Sequence, residues 1–175
     1  MGDQRAAFRF ALRFAAIAAI GFALYCFPYA ESGPAASWFG AYLSAYARVA
    51  GSMVAWFEPA VTVAGRSIVG RSSIEIVKNC DAMEVLILFG AAVLALGAPI
   101  RHSWVALVSG VTTLIALNLA RICSLYFVAL HWPRAFETIH LEVWPPILVI
   151  VATGLFFVCA RWLSKVTPER PLAAA

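Results

Sequence analysis

Four apolar stretches, roughly Phe10–Phe27, Met83–Ala98, Ser103–Val128 and Trp144–Leu163, decide what this chain can fold into. A helix needs around 20 mostly apolar residues to cross about 30 Å of hydrocarbon. Lipid offers no partner to an open backbone, so such stretches are expected to be helices. The second is short and needs a thinned bilayer or snorkelling ends. The third is expected to run on past Arg121, rising out of the membrane. Composition agrees: 63% of the 175 residues are hydrophobic and 13% are charged, where soluble domains keep roughly a quarter charged.

The expected fold class is an all-α integral membrane protein with about four transmembrane helices, an interfacial amphipathic helix and a small extracytoplasmic hairpin. Residues 1–166 form a single polytopic membrane domain and 167–175 a disordered cytoplasmic tail. The first apolar run has a basic start, but no small-residue cleavage site follows at 25–28, so it reads as a retained helix. The formal charge of +4 does not indicate nucleic acid, because the basic residues flank apolar runs and no basic patch carries interleaved aromatics. The expected partner is the lipid bilayer.

Segment 29–80 is assigned to the extracytoplasmic side. Within 37–57, Trp38, Phe39, Tyr42, Leu43, Tyr46, Val49, Met53, Val54 and Phe57 recur at helical spacing, with Ser44, Arg48 and Ser52 on the other side. Arg48 in mid-membrane costs about 2.5–3.5 kcal/mol, so this helix is expected to lie in the interface rather than to span. Val61–Val77 alternates or favours extended geometry between glycines and serines, which predicts a small hairpin or extended pair outside the membrane.

Orientation follows the basic residues. With four spans, Arg5, Arg9, Arg13, Arg101, Arg161, Lys165 and Arg170 fall on one side, the expected cytoplasmic face. Arg48, Arg66, Arg71, Lys78, Arg121 and Arg134 fall on the other, spread over longer segments or at membrane edges. On that outer side the topology brings together Cys80, just before the second span, Arg121, near the end of the third, and His140, just before the fourth.

A thiol, a guanidinium and an imidazole are the residue types that thiol chemistry asks for. The thiolate is the reactive form and is favoured by a nearby cation or imidazolium. Histidine can take the thiol proton and return it to a leaving amine. Arginine can donate hydrogen bonds to an oxyanion. Each has a plainer reading: Arg121 as an interfacial snorkelling residue, His140 as a loop histidine, Cys80 in a disulfide with Cys26 or Cys123. Cys159 reads as a small apolar residue. His131 and His102 compete for the base, although His102 falls on the inner side. No C-x-x-C spacing points to a metal, and no cofactor is expected.

Three motifs in order carry a family resemblance. They are Asn79-Cys80-Asp81-Ala82-Met83-Glu84, Asn118-Leu119-Ala120-Arg121-Ile122, and Phe136-Glu137 through His140 with Val143-Trp144-Pro145. Over about 51–163 the chain resembles the exosortase/archaeosortase family, closest to the exosortase H type. Members often carry Ser-Gly or Thr-Gly after the cysteine, where this chain has Asp81-Ala82. The resemblance implies a multi-spanning cysteine protease or transpeptidase of the bacterial cytoplasmic membrane, its site facing outward. Its substrates are membrane-anchored proteins with a C-terminal sorting signal, passed to an acceptor of unknown identity. It implies catalytic roles for Cys80, Arg121 and His140. Asn79, Asn118 and Glu84, with Glu137 and Glu142, are candidates to support the site or bind substrate. The competing readings are a non-catalytic membrane assembly or carrier subunit, and a protease that uses water as acceptor.

Overall fold

The computed structural model describes residues 2–26 and 34–166. The expected tail at 167–175 lies outside the described residues, as do residues 29–33 of the expected extracytoplasmic segment. The fold is mostly helical. Three of its helical stretches, Gln4–Cys26, Ile100–His131 and Pro133–Val166, are long and apolar enough to cross a membrane.

The first, α1 (Gly2–Cys26), is followed after the undescribed stretch by α2 (Pro34–Val54). On α2 the buried stripe is Leu43, Tyr46, Ala47, Ala50 and Val54, while Trp38 and Val49 face outward. The sequence periodicity placed those two on the apolar side. The small Ala47 and Ala50, both fully buried, select the buried face because they let α2 approach its neighbours closely. Arg48 is exposed, on the opposite side of α2 from this stripe.

Residues 62–75 form three short strands, β1 (Thr62–Ala64), β2 (Ser67–Val69) and β3 (Ser73–Glu75), in an antiparallel meander of order β1-β2-β3. The sheet lays Ile68, with Ile76 just beyond it, into a core shared with Leu43, Val54, Ile122 and Tyr126.

A 3-10 turn at Lys78–Cys80 leads to α3 (Met83–Ala95), which is shorter than the span expected over 83–98. Its 13 residues rise only about 20 Å. Contacts with α1, α4 (Ile100–His131) and α6 (Trp144–Val166) surround α3 and bury Phe89, Ala91, Val93 and Ala95. Gly97, at φ +68, ends α3 in the left-handed region, and Pro99 starts α4. Gly110 of α4 lies directly against the Phe89 ring, an approach that any side chain there would block.

The fourth helix, α4, extends about 48 Å and overshoots a bilayer core. Arg121 stands roughly 31 Å along it from Ile100. After a 3-10 turn at Pro133–Ala135, α5 (Phe136–Thr138), a π-helical turn (Ile139–Val143) and α6 form one continuous helical stretch. Trp38, Trp56, Trp104 and Trp132 are exposed.

Candidate active site

The loop that presents Cys80 is held from three directions. Cys80 N–H closes the 3-10 turn on Val77 O at 2.8 Å. From the end of α1, the Tyr25 hydroxyl meets Lys78 O at 3.2 Å and both Asp81 carboxylate oxygens at 3.3 Å. Lys78 Nζ lies 4.3 Å above the Tyr25 ring, a cation–π contact. From α4, Asn118 Nδ2 donates to Cys80 O at 2.9 Å.

Asp81 ties this loop to the start of α3, because its Oδ1 accepts Met83 N–H at 2.9 Å. The carboxyl is 2% exposed, and burial pushes its pKa up while hydrogen bonds from Met83 N–H and the Tyr25 hydroxyl pull it down. Ala82, between them, has φ +55. That is the left-handed region, which costs a residue with a Cβ roughly 1–2 kcal/mol and glycine almost nothing.

The π-helical turn positions His140. Pro145 and Pro146 lack the N–H groups that would bond Leu141 O and Glu142 O, so the α ladder fails at that turn. The helix widens instead, and Trp144 N–H reaches back to Ile139 O. This turn sets the His140 ring beside the cysteine loop, with Nε2 3.6 Å from Cys80 Sγ, hydrogen-bonding range for sulfur. Phe136, one turn earlier, braces the ring with centroids 5.6 Å apart.

Arg121 is 4% exposed on the same face of α4 as Asn118, which is fully buried. Its Nε has no hydrogen-bond partner, and among the described residues the only ion pair is the exposed Arg66–Glu75. Arg121 lines a cavity shared with His140. A buried guanidinium without a carboxylate is costly to the fold.

Two cavities meet at His140. One, of about 450 Å³, runs past Ile74, Ile76, Cys80, Ile122 and Phe136. The other, of about 330 Å³, is lined by Glu84, Arg121, Pro145 and Leu148 among others. Below the second, an apolar groove of about 210 Å³ continues between α1, α3 and α6 past Phe14, Val85, Leu88, Val149 and Phe156. Cys80 lines the first cavity, Arg121 the second, and His140 both.

The structure thus gathers Cys80, His140, Arg121 and Asn118. Glu84 is exposed at the mouth of the second cavity, and Glu137 and Glu142 are exposed. The Asn79 side chain lies outside the described residues. His131 packs beside Trp132 at the end of α4, and His102 beside Trp162. All four cysteines are free, so Cys80 is not in a disulfide with Cys26 or Cys123. Cys123 and Cys159 instead point their sulfurs at Ala50 O (3.7 Å) and Ala106 O (3.9 Å). Among the described residues no cluster of His, Cys, Asp and Glu has the geometry to hold a metal. Sequence reasoning missed Tyr25 and the anchoring role of Asp81. An Asp two residues before a helix start was the available signal for Asp81, whereas Tyr25 had none beyond its place at the end of an apolar run.

No family model, no curated protein and no solved structure matches this chain.

Proposed function

We propose that the chain is a membrane-embedded cysteine protease or transpeptidase of the exosortase kind, cutting the C-terminal sorting signal of exported, membrane-anchored proteins. The observation that carries this reading is the 3.6 Å contact between Cys80 Sγ and His140 Nε2 beside a buried, unpaired Arg121. The reading includes a bacterial cytoplasmic membrane, four crossings with α3 as the short one, and a site on the outer side.

In the proposed reaction His140 takes the Cys80 proton and the sulfur attacks the scissile carbonyl. The charge that develops on the carbonyl oxygen is met by Arg121, a kind of donor worth about 2.7–4 kcal/mol. The C–N bond then breaks as His140 returns its proton to the departing amine, leaving a thioester on Cys80. An acceptor nucleophile attacks the thioester carbonyl, its proton passes to His140 and then to sulfur, and the free thiol is regenerated. The departing fragment carries the membrane anchor. The apolar groove between α1, α3 and α6, open below the Arg121 cavity, supports this because it offers that anchor a lipid-level path to the site.

The test is co-expression with a tailed, membrane-anchored substrate, reading the substrate's C-terminus by mass. Active protein should yield a shortened product, and Cys80→Ala, Cys80→Ser and His140→Ala should leave the tail in place. Complete processing by Cys80→Ala would leave the non-catalytic membrane subunit as the better description. Mass of the new C-terminus separates transfer from hydrolysis.

A further inference from the structure

We propose that the free edge of β3 is the substrate-docking strand, on which an extended segment of the substrate pairs as an added β-strand and is thereby threaded to Cys80. This rests on the reading of Cys80 as the nucleophile and adds how the peptide is recognised. In the order β1-β2-β3, β3 has a neighbour on one side only. Gly70 N–H bonds Ser72 O at 2.8 Å and Ile76 N–H bonds Arg66 O at 3.0 Å. Those bonds assign 72, 74 and 76 to the ladder with β2, and the alternation of an antiparallel pair turns the N–H and C=O of Ser73 and Glu75 the other way.

That other edge borders the Cys80 cavity. Every residue from Ser72 to Val77 lines it, whereas a strand presenting a face would contribute alternate residues only. The strand direction leads straight to the nucleophile, since Val77 O accepts the Cys80 N–H that closes the turn. The β2–β3 turn is itself anchored: Arg71 N–H donates to the buried Glu58 carboxylate at 2.7 Å, and Ser72 N–H contacts the Tyr126 hydroxyl at 3.5 Å. Across the cavity, Ile122, Leu125 and Phe136 supply an apolar wall against which alternate peptide side chains would pack. An exposed sheet edge ending at a thiol–imidazole pair has the features of strand-addition recognition: affinity from main-chain bonds and selectivity from the wall.

The occupant is a peptide backbone, so the probe is acetyl-Val-Ala-Val-Ala vinyl sulfone, used on the full chain in detergent and read as Cys80 labelling by intact mass. A series carries one N-methyl group at each amide in turn. Methyl vinyl sulfone, which has no backbone to pair, reports the thiol alone. Methylation at alternate amides should slow labelling about three- to tenfold each, the size of one lost hydrogen bond, and the intervening positions should leave it unchanged. Ser73→Pro and Glu75→Pro, which remove edge N–H groups without touching the β2 ladder, should slow the peptide probe similarly and leave methyl vinyl sulfone unaffected. A peptide rate indifferent to N-methylation, or slowed equally at all positions, with methyl vinyl sulfone still labelling Cys80, overturns strand addition alone. If methyl vinyl sulfone fails to label Cys80, the nucleophile reading falls and this proposal with it.

Discussion

Cys80 Sγ and His140 Nε2 lie 3.6 Å apart although 60 residues and the helices α3 and α4 separate them. The cysteine is not placed by its own segment alone. The cysteine loop is fixed by Tyr25 of α1 and Asn118 of α4, and the histidine by a π-helical turn that two prolines impose. Four elements distant in sequence therefore converge to make one contact.

Arg121 should separate stability from activity. Replacing a buried, unpaired charge by an apolar side chain of similar length is commonly neutral or stabilising. Arg121→Met is therefore expected to hold or raise the melting temperature in detergent while lowering substrate processing roughly 10²- to 10³-fold, the effect of losing one oxyanion donor. Scanning fluorimetry and the tail-cleavage assay measure the two. A large loss of stability with normal processing would mean that the guanidinium is a structural group.

Asn118→Ala removes the donor to Cys80 O and leaves a buried carbonyl unpaired. The expected destabilisation is about 1–3 kcal/mol, accompanied by slower alkylation of Cys80 because its loop is no longer held. Denaturant titration with thiol labelling tests both, and an unchanged midpoint would show that the bond contributes little.

At Ala82 a left-handed backbone carries a Cβ. Ala82→Gly should stabilise the protein by about 1 kcal/mol, the relief of that conformation partly offset by a freer unfolded chain. Members of the family the motifs resemble often have glycine there, and the geometry supplies a physical reason. A lower melting temperature for Ala82→Gly would contradict it.

Asp81 gives a pH signature with a definite sign. Burial raises its folded pKa above the unfolded value. Its contribution to stability is therefore most favourable below the ordinary carboxylate pKa and declines as pH rises through the raised value. Asp81→Asn keeps an oxygen for Met83 N–H and cannot ionise. The stability difference between variant and wild type should grow in favour of the variant as pH rises across that window. A difference that is flat with pH would remove burial as the controlling influence.

Much of this architecture was readable from apolar run lengths. The three long helices follow from lipid's refusal of open backbone, and the expectation that Cys80, Arg121 and His140 share one side rests on counting four crossings. What was not readable depends on packing. Trp38 and Val49 belong to α2's apolar periodicity, yet the close approach of Ala47 and Ala50 turns both outward. The burial of α3 depends on α1, α4 and α6 around it. The third strand of the meander and the hold of Tyr25 on the cysteine loop each need a partner from elsewhere in the chain, whereas the π-helical turn follows from the neighbouring Pro145 and Pro146.

The most direct test is the rate of Cys80 alkylation by iodoacetamide across pH, followed by mass spectrometry in the wild type and in His140→Ala. With the imidazole drawing the thiol proton, wild-type Cys80 should react faster near neutral pH than the exposed Cys26, and His140→Ala should remove that advantage. A Cys80 that stays inert while Cys26 is alkylated, or that reacts identically without His140, would contradict an activated thiol at this site.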